Sequence, residues 1–254
     1  MHFIFNGAKS YDMGVYKVEV DSTVHSRKML GSRTVNYMDK RGRKTPLNYS
    51  LDYERIAFEV TMLFGNPNGD PVRPTSEMRS KVLGWLYSDE FEELVFTDNP
   101  EVVYYAIATE IGELQSYGNG ALCTITFETH SPNGWTKESV DQFDIDKKDR
   151  IEIMNPSNIY PMYYPTVVIS AKEAGDVVIT NYSDKGKKTE LKKMRKNEVI
   201  VIDNENKIIY SELEGENAFA KFNRGWIGFR RGLNILEVEG NVELTIIAQY
   251  PIGV

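Results

Sequence analysis

The sequence predicts a mainly β protein with two domains, the first of which carries a single helix over its sheet. One segment, Thr75 to Tyr87, has the periodicity of an amphipathic helix. After Tyr163, short alternating segments recur about every ten residues, with turn-forming residues between them. We therefore expect an N-terminal β-sandwich or barrel-like domain with one covering helix over residues 1–135. An antiparallel β-sandwich is expected over residues 136–254.

The first half of the chain has the pattern of strands separated by turns. Residues 3–20 alternate loosely around Gly7 and Gly14, which predicts a strand, a turn and a second strand. The segment from Tyr53 to Phe64 is the clearest strand, because its large apolar residues fall on every second position and hence on one face. Those residues are Ile56, Phe58, Val60, Met62 and Phe64.

A basic segment punctuated by glycines runs from Arg27 to Tyr49. Tyrosines are interleaved with its cations, and its candidate interface residues are Arg33, Tyr37, Arg41 and Arg43. The pattern fits an extended arm that docks on a neighbouring subunit or an acidic surface, and it also fits a solvated hairpin. Composition alone favours the solvated hairpin.

The predicted helix has a capping residue and a single apolar stripe. Thr75 or Ser76 is expected to cap the first amides, and Glu77 suits the first turn because the helix dipole favours an acid there. The stripe consists of Met78, Val82, Trp85 and Leu86. Burying such side chains stabilises a fold by about 1.5 to 3 kcal/mol each. We interpret the helix as a lid on the sheet of the first domain.

Strands are expected again after the helix, at Leu94–Phe96, Val102–Ile111 and Ala121–Thr129. Gly118-Asn119-Gly120 predicts a tight hairpin turn, since Asn and Gly accept positive φ. The cluster of turn formers from Ser131 to Trp135 marks the expected domain boundary.

The second domain shows regularly spaced strand patterns without helix signals, which is typical of a sandwich or barrel. The expected strands are Thr166–Ser170, Val177–Asn181, Glu198–Asp203, Lys207–Tyr210, Gly225–Phe229, Leu233–Glu239 and Val242–Tyr250. The aspartate-rich segment Phe143 to Asp149 lacks the ligand pattern of a calcium loop and is interpreted as a charged linker or strand edge.

A dense basic run from Lys185 to Lys196 interrupts this pattern. Its candidate contact residues for a partner on the outer face are Lys187, Lys188, Lys192 and Lys193. The run suits anionic polymers or an adjacent protein, and a solvated hairpin tip explains it equally well.

Composition and missing motifs narrow the function. The net charge of -7 argues against a dedicated nucleic-acid binder. The apolar runs are too short for membrane insertion, and the N-terminus lacks the pattern of a signal peptide, which makes synthesis in a cytoplasm the expectation. One cysteine, Cys123, and three scattered histidines give no disulfide or metal pattern, and no nucleotide or nucleophile motif occurs. We expect no metal, no cofactor and no catalytic residues.

The order of small motifs resembles the distal tail proteins (Dit) of siphophages. Phe5-Asn6-Gly7 resembles the opening strand of that family, and Asp12-Met13-Gly14 resembles its early turn. The helix with an arginine, a branched residue and a Trp-Leu pair corresponds to Arg79–Leu86. The later matches are Leu94–Asp98, Tyr105–Ala108, Gly120–Thr129, Pro165–Ile169, Val177–Asn181, Ile202–Asn204 and Gly232–Ile235. The early hairpin departs from the pattern, since it is more basic and less aromatic.

The resemblance implies a structural virion protein at the tail tip or baseplate, made in the host cytoplasm. It implies a homo-hexameric ring that joins the tail tube to the host-adsorption apparatus, and a galectin-like second domain. The implied partners are the tail tube protein, the tail-associated (Tal) hub protein and receptor-binding proteins. DNA would pass through the lumen without specific binding.

Two other functions stay open from the sequence. The second domain could bind host-wall carbohydrate by stacking sugar on Tyr160, Tyr163, Tyr164 or Trp226. The resemblance implies fold and not sugar binding, because no histidine lies beyond His130 to complete a galectin-type site. An unrecognised hydrolase with spatially assembled carboxylates is the second alternative.

Overall fold

The computed structural model describes residues 2–20, 33–46, 48–66, 68–159 and 162–253. The chain divides into two compact units, which we call unit 1, ending at Trp135, and unit 2, Thr136–Ile252. Strands dominate both units, so the expected mainly β fold is confirmed. None of the helices in these described ranges has the length and apolar character needed to cross a membrane.

Unit 1 is one curled antiparallel sheet with a helix, α1 (Ser76–Leu86), against it. Its strands are β1 (Phe3–Phe5), β2 (Ala8–Lys9), β3 (Val15–Val20), β4 (Arg33–Met38), β5 (Asn48–Tyr53), β6 (Ala57–Phe64), β7 (Glu92–Phe96), β8 (Val103–Ile111), β9 (Gln115–Tyr117), β10 (Gly120–Thr129) and β11 (Gly134–Trp135). The main sheet has the order β2-β1-β7-β8-β10-β6-β3. Strands β4 and β5 form a separate two-stranded sheet.

The core of unit 1 follows from period-two alternation in β6 and β10. Alternate residues of both strands are buried in the core, and the residues between them face away from it. Thr75 caps the helix, because its Oγ1 accepts a hydrogen bond from the Met78 N–H at 3.2 Å. The ring of Trp85 stacks on Phe3 with centroids 5.2 Å apart.

The strand expected from Tyr53 to Phe64 is two strands in the structure. β5 ends at Tyr53 and β6 begins at Ala57. Between them, the Ile56 N–H donates to Thr129 Oγ1 at 3.0 Å, and the Thr129 N–H donates to the Ile56 carbonyl at 2.9 Å. These bonds fix the point where the chain passes from the β4–β5 hairpin into the main sheet.

Unit 2 is an antiparallel sandwich. Its strands are β12 (Ser139–Ile145), β13 (Lys148–Asn155), β14 (Thr166–Ala171), β15 (Gly175–Asn181), β16 (Lys187–Met194), β17 (Val199–Asp203), β18 (Ile208–Ser211), β19 (Gly232–Glu239), β20 (Val242–Ala248) and β21 (Pro251–Ile252). One sheet has the order β12-β20-β14-β17-β18 and the other β13-β19-β15-β16. Inward residues of both sheets share one apolar core. A short helix, α2 (Ala218–Lys221), precedes β19.

The expected strand Gly225–Phe229 is wrong; within it, Phe229 makes only an isolated bridge, to Tyr163. Its backbone is held by asparagine side chains instead of a neighbouring strand. The Ile227 N–H donates to Asn204 Oδ1 at 2.6 Å, and Asn181 Nδ2 donates to the Gly228 carbonyl at 2.8 Å. Three of the asparagines that hold the segment are buried, namely Asn155, Asn181 and Asn204.

The basic run also differs from the expected hairpin tip, because most of it is the regular strand β16. Thr189, Leu191 and Met194 point into the core and are buried, which anchors the strand. The charged segment Phe143 to Asp149 lies at strand edges, since β12 and β13 are terminal strands of their sheets.

Candidate functional site

The β4–β5 hairpin, which we call the arm hairpin, carries the first set of candidate residues. Its register pairs Arg33 with Tyr53, Val35 with Leu51, and Tyr37 with Tyr49. Directly opposite residues of an antiparallel pair share a face, so these six side chains lie on one side of the ribbon. The hairpin therefore has an apolar and aromatic face that begins with a single arginine.

The aromatic side chains of that face are exposed to solvent. Tyr37 and Tyr49 are each 63% exposed, and Tyr53 is 50% exposed. The opposite face is polar except for Met38, and on it Asn36 Nδ2 donates to Asp52 Oδ2 at 2.6 Å. Exposed aromatic side chains on one face of an isolated ribbon are the arrangement of a docking element.

The tip of the arm hairpin carries the remaining candidates, Arg41 and Arg43. Both are exposed, and the Arg43 N–H donates to the Lys40 carbonyl at 3.0 Å in the turn. The structure thus places Arg33 and Tyr37 on one face of the hairpin and the other two arginines at its end. These four residues do not form a single cluster.

The helix candidates lie under the sheet of unit 1. Val82, Trp85 and Leu86 are buried, whereas Met78 is only half-buried near the start of the helix. The Trp85 Nε1–H donates to the Phe5 carbonyl at 2.8 Å, so the indole has its polar partner inside the core. This geometry gives Trp85 a packing role.

Sequence reasoning did not single out the outer face of the main sheet, opposite α1. Thr126 on β10 is the register partner of Glu110 on β8 and of Glu59 on β6, so two carboxylates flank a hydroxyl in one row. Glu128 in the next row pairs with Arg55 at 3.2 Å. We call Glu59, Glu110, Glu128 and the threonines between them the acidic face. In the sequence, the acidic face corresponds to the polar residues that alternate with the buried residues of β6 and β10.

The four lysine candidates Lys187, Lys188, Lys192 and Lys193 are exposed along β16, and we call them the lysine strip. β16 is the last strand of its sheet, and the strip follows it from one end to the other.

The candidate sugar-stacking residues are engaged within unit 2. Tyr163 packs on Tyr250 with centroids 4.8 Å apart, and burial raises the pKa of the Tyr163 hydroxyl. The ammonium of Lys207 lies 3.8 Å from the ring centroid of Tyr164 and 5.4 Å from that of Trp226. These faces already hold a cation of the chain itself. Tyr160 lies outside the described residues.

Among the described residues, Glu198 is the most deeply buried carboxylate, and its contacts give it a structural role. It is fully buried, and Lys221 Nζ lies 2.7 Å from its Oε1. Burial by itself raises the pKa of the Glu198 carboxyl, but hydrogen bonds from Lys221, the Arg195 N–H and Ser211 outweigh it, so the pKa lies below its usual range. Across the described ranges, no group of three or more His, Cys, Asp or Glu side chains is arranged to hold a metal ion.

Family comparisons identify the chain. Residues 1–131 match the family described as a phage tail protein N-terminal domain, and residues 133–248 match a phage tail C-terminal domain. The chain belongs to the phage tail protein family. Like other members of such a family, it is a component of the tail, and the resemblance predicted from its sequence is confirmed.

Two individual proteins resemble this tail protein, one in sequence and one in fold. It is 22% identical over 252 residues to the SPbeta prophage-derived protein YomH of Bacillus subtilis (strain 168), covering 98% of this chain and 96% of that one. Its fold matches the crystal structure of SPP1 Dit (gp 19.1), described as a paradigm of the hub adsorption apparatus in phages that infect Gram-positive bacteria. That match has a TM-score of 0.71 over 98% of both chains at 12% identity, which establishes the fold.

Proposed function

We propose that this tail protein forms a hexameric ring at the tip of the tail and joins the tail tube to the adsorption apparatus. The observation that carries the proposal is the arm hairpin with its exposed aromatic face. A two-stranded ribbon is marginally stable alone in water and needs a third element to pack against. A neighbouring copy of the chain supplies that element.

Ring closure explains why one chain carries both a protruding arm and a separate docking surface. A ring requires a heterologous interface, in which one surface of a subunit contacts a different surface of the next. In our proposal the aromatic face, with Arg33 and Tyr37, packs on the adjacent subunit, and Arg41 and Arg43 reach acidic groups beyond it. Six copies is the number that the distal tail protein resemblance implies.

The acidic face suits the wall of a channel that DNA traverses. Carboxylates repel the phosphate backbone, and the hydroxyls of Thr61, Thr124 and Thr126 offer no positive charge to hold it. We place the acidic face of unit 1 toward the lumen of the ring. DNA then passes without specific binding.

The remaining roles follow from this arrangement. Residues 1–135 form the ring, and residues 136–254 form a galectin-like domain on its outside. The partners are the tail tube protein, the tail-associated (Tal) hub protein and receptor-binding proteins, and the chain is structural, not catalytic. The virion tail is its final location, after synthesis in the host cytoplasm.

Solution mass tests the ring and the arm together. Six copies of 29.1 kDa give 6 × 29.1, or about 175 kDa, and light scattering should find this mass for the wild type. The double variant Tyr37→Ser/Tyr49→Ser removes both rings of one cross-strand pair and should give smaller species. The reason is the loss of about 1.5 to 3 kcal/mol of apolar burial per side chain at each contact.

Tyr87→Ser is the matched control, since Tyr87 is 74% exposed at the end of α1 and is not part of the hairpin. It should keep the mass of the wild type. A strictly monomeric wild type at micromolar concentration would contradict the ring. Intact rings from the double variant, or from a chain lacking Lys28 to Lys44, would contradict the role of the arm.

Charge reversal tests the placement of the acidic face. The wild-type ring should not bind double-stranded DNA in a gel-shift assay. The variant Glu59→Lys/Glu110→Lys should bind it, because two cations per subunit would line the channel. Glu173→Lys/Glu214→Lys makes the same charge change at exposed positions of unit 2 and should retain less DNA. Equal retention by both variants would argue against the acidic face as the channel wall.

A further inference from the structure

The lysine strip places four positive charges on one strand, with Glu190 as the single carboxylate between its two pairs. Two cations outside the lysine strip form ion pairs nearby. Arg195 Nη2 lies 2.6 Å from Glu216, and Lys221 bonds Glu198 and Glu216. Among the described residues, no carboxylate lies within ion-pair distance of the four ammonium groups of the strip. Like charges held together on a rigid strand repel one another, which favours binding of an anion that relieves the repulsion.

Edge protection does not explain these lysines. Lysines on terminal strands commonly prevent pairing with another chain, but the free edge of β16 is already occupied. The Asn223 N–H donates to the Glu190 carbonyl at 3.1 Å, and Asn223 Oδ1 accepts from the Glu190 N–H at 3.0 Å. Phe222 forms a bridge with Leu191. We call Phe222–Gly225 the sealing segment.

The sealing segment lies very close to β16. Asn223 Nδ2 donates to the Lys188 carbonyl at 3.1 Å, and Thr189 Oγ1 donates to the Gly225 carbonyl. A Cβ atom at Gly225 would collide with the Lys188 carbonyl oxygen, so this approach requires glycine. The backbone of β16 is therefore unable to accept an added strand from a partner protein.

Neither β16 nor its register partners on β15 include an aromatic residue. Lys188 and Glu190 have Thr180 and Val178 as register partners on β15. Asp176 Oδ1 accepts a hydrogen bond from the Lys193 N–H at 2.8 Å. Protein interfaces have apolar, aromatic cores that are poor in lysine, and single-stranded nucleic acids need aromatic platforms for their bases. Neither kind of partner fits this surface.

We propose that the lysine strip binds an extended phosphate polymer without aromatic groups, of the polyol-phosphate type. Lysine ammonium groups are compact point charges on flexible stems, which suits phosphodiesters that repeat along a chain. Lys187 and Lys188 lie at one end of β16 and Lys192 and Lys193 near the other, about 13 Å apart at roughly 3.3 Å per residue. An extended polymer lying along the outward side of the strand reaches Lys188 and Lys192, which alternate with the inward Thr189 and Leu191. This binding goes beyond ring formation and does not depend on it.

The test uses the full chain and synthetic poly(glycerol phosphate), with affinity measured by titration at several salt concentrations. Lys188→Glu/Lys192→Glu should weaken binding about tenfold or more, and the neutral pair Lys188→Gln/Lys192→Gln should reduce the slope of log affinity against log salt by about 1 to 2. The control Lys9→Glu/Lys147→Glu makes the same charge change at exposed positions outside the strip and should bind like the wild type.

Several results would overturn the proposal. They are no binding by the wild type, equal weakening in the control variant, and binding to polyglutamate or double-stranded DNA as tight as binding to the phosphate polymer. Because the lysines are exposed, the variants should keep the unfolding midpoint and the mass of the wild type. Loss of polymer binding with an unchanged ring separates this proposal from the proposed ring.

Discussion

Two basic segments of this tail protein look alike in sequence and occupy opposite structural situations. The arm hairpin contributes no buried side chain in its described part, and its ribbon pairs only within itself. The lysine strip lies on a strand with Leu191 and Met194 in the core and with its outer edge sealed by Phe222–Gly225. A charge run in a sequence thus gives no information on whether its backbone is free or already committed. In our proposal the arm hairpin is ordered by packing on a partner. The lysine strip is held rigid by the core of its own domain.

The sharpest test of this contrast is the same substitution in both segments. Leu191→Ala should lower the free energy of unfolding of unit 2 by about 2 to 5 kcal/mol, because it leaves a cavity beside a side chain that is 1% exposed. Leu51→Ala, at a residue that is 38% exposed, should change the stability of unit 1 by less than about 0.5 kcal/mol. Urea unfolding followed by hydrogen exchange reports each unit separately. Similar losses in both variants would remove the distinction.

The next effect concerns the anchor of the sealing segment. Glu198 holds Lys221 at the end of α2, directly before Phe222. Glu198→Gln should lower the free energy of unfolding of unit 2 by about 2 to 3 kcal/mol at neutral pH, because a buried charge-assisted hydrogen bond is lost.

This loss should depend on pH with a defined sign. The pKa of Glu198 is lower in the folded state, so its contribution to stability is complete above the unfolded pKa of about 4.3 and disappears as the pH falls through the folded value. The difference between wild type and Glu198→Gln should therefore shrink below about pH 4. A difference that stays constant down to pH 2 would show that the carboxylate charge is not responsible.

A smaller effect is expected where the seal touches β16. Gly225→Ala should cost about 1 to 2 kcal/mol and speed amide exchange in Lys187–Met194, because the added methyl group forces the sealing segment away. Gly175→Ala is the matched control, since open space surrounds the position of its Cβ atom. Unchanged exchange in Gly225→Ala would contradict the close packing of the seal.

The periodicity of apolar residues in the sequence predicted those helices and strands that bury one face. The capped helix Ser76–Leu86 and the alternating strands β6 and β10 appear where expected, because one face of each is buried and the periodicity records it. The segment Gly225–Phe229 also looks like a strand in sequence. It is not one, because asparagines from three distant positions take its hydrogen bonds.

The candidate surfaces show the same limit. The basic residues of the arm hairpin and of the lysine strip were visible as composition, but the shared face of Tyr37 and Tyr49 required the register. The acidic face required the sheet order, since Glu59 and Glu110 meet only across β10. Such pairings join residues far apart in the sequence, and a single sequence carries no direct record of them.

The strands from which the arm hairpin departs determine how tail proteins of this kind can vary in sequence. β3 and β6 pair with each other from Val15 with Phe64 to Val20 with Val60, on either side of the excursion that the hairpin makes. Residues can be gained or lost inside that excursion without shifting the register of the sheet or its core. The hairpin is thus a place where evolution can change the length of the arm, and where an experimenter can insert a label, while the main sheet keeps its structure.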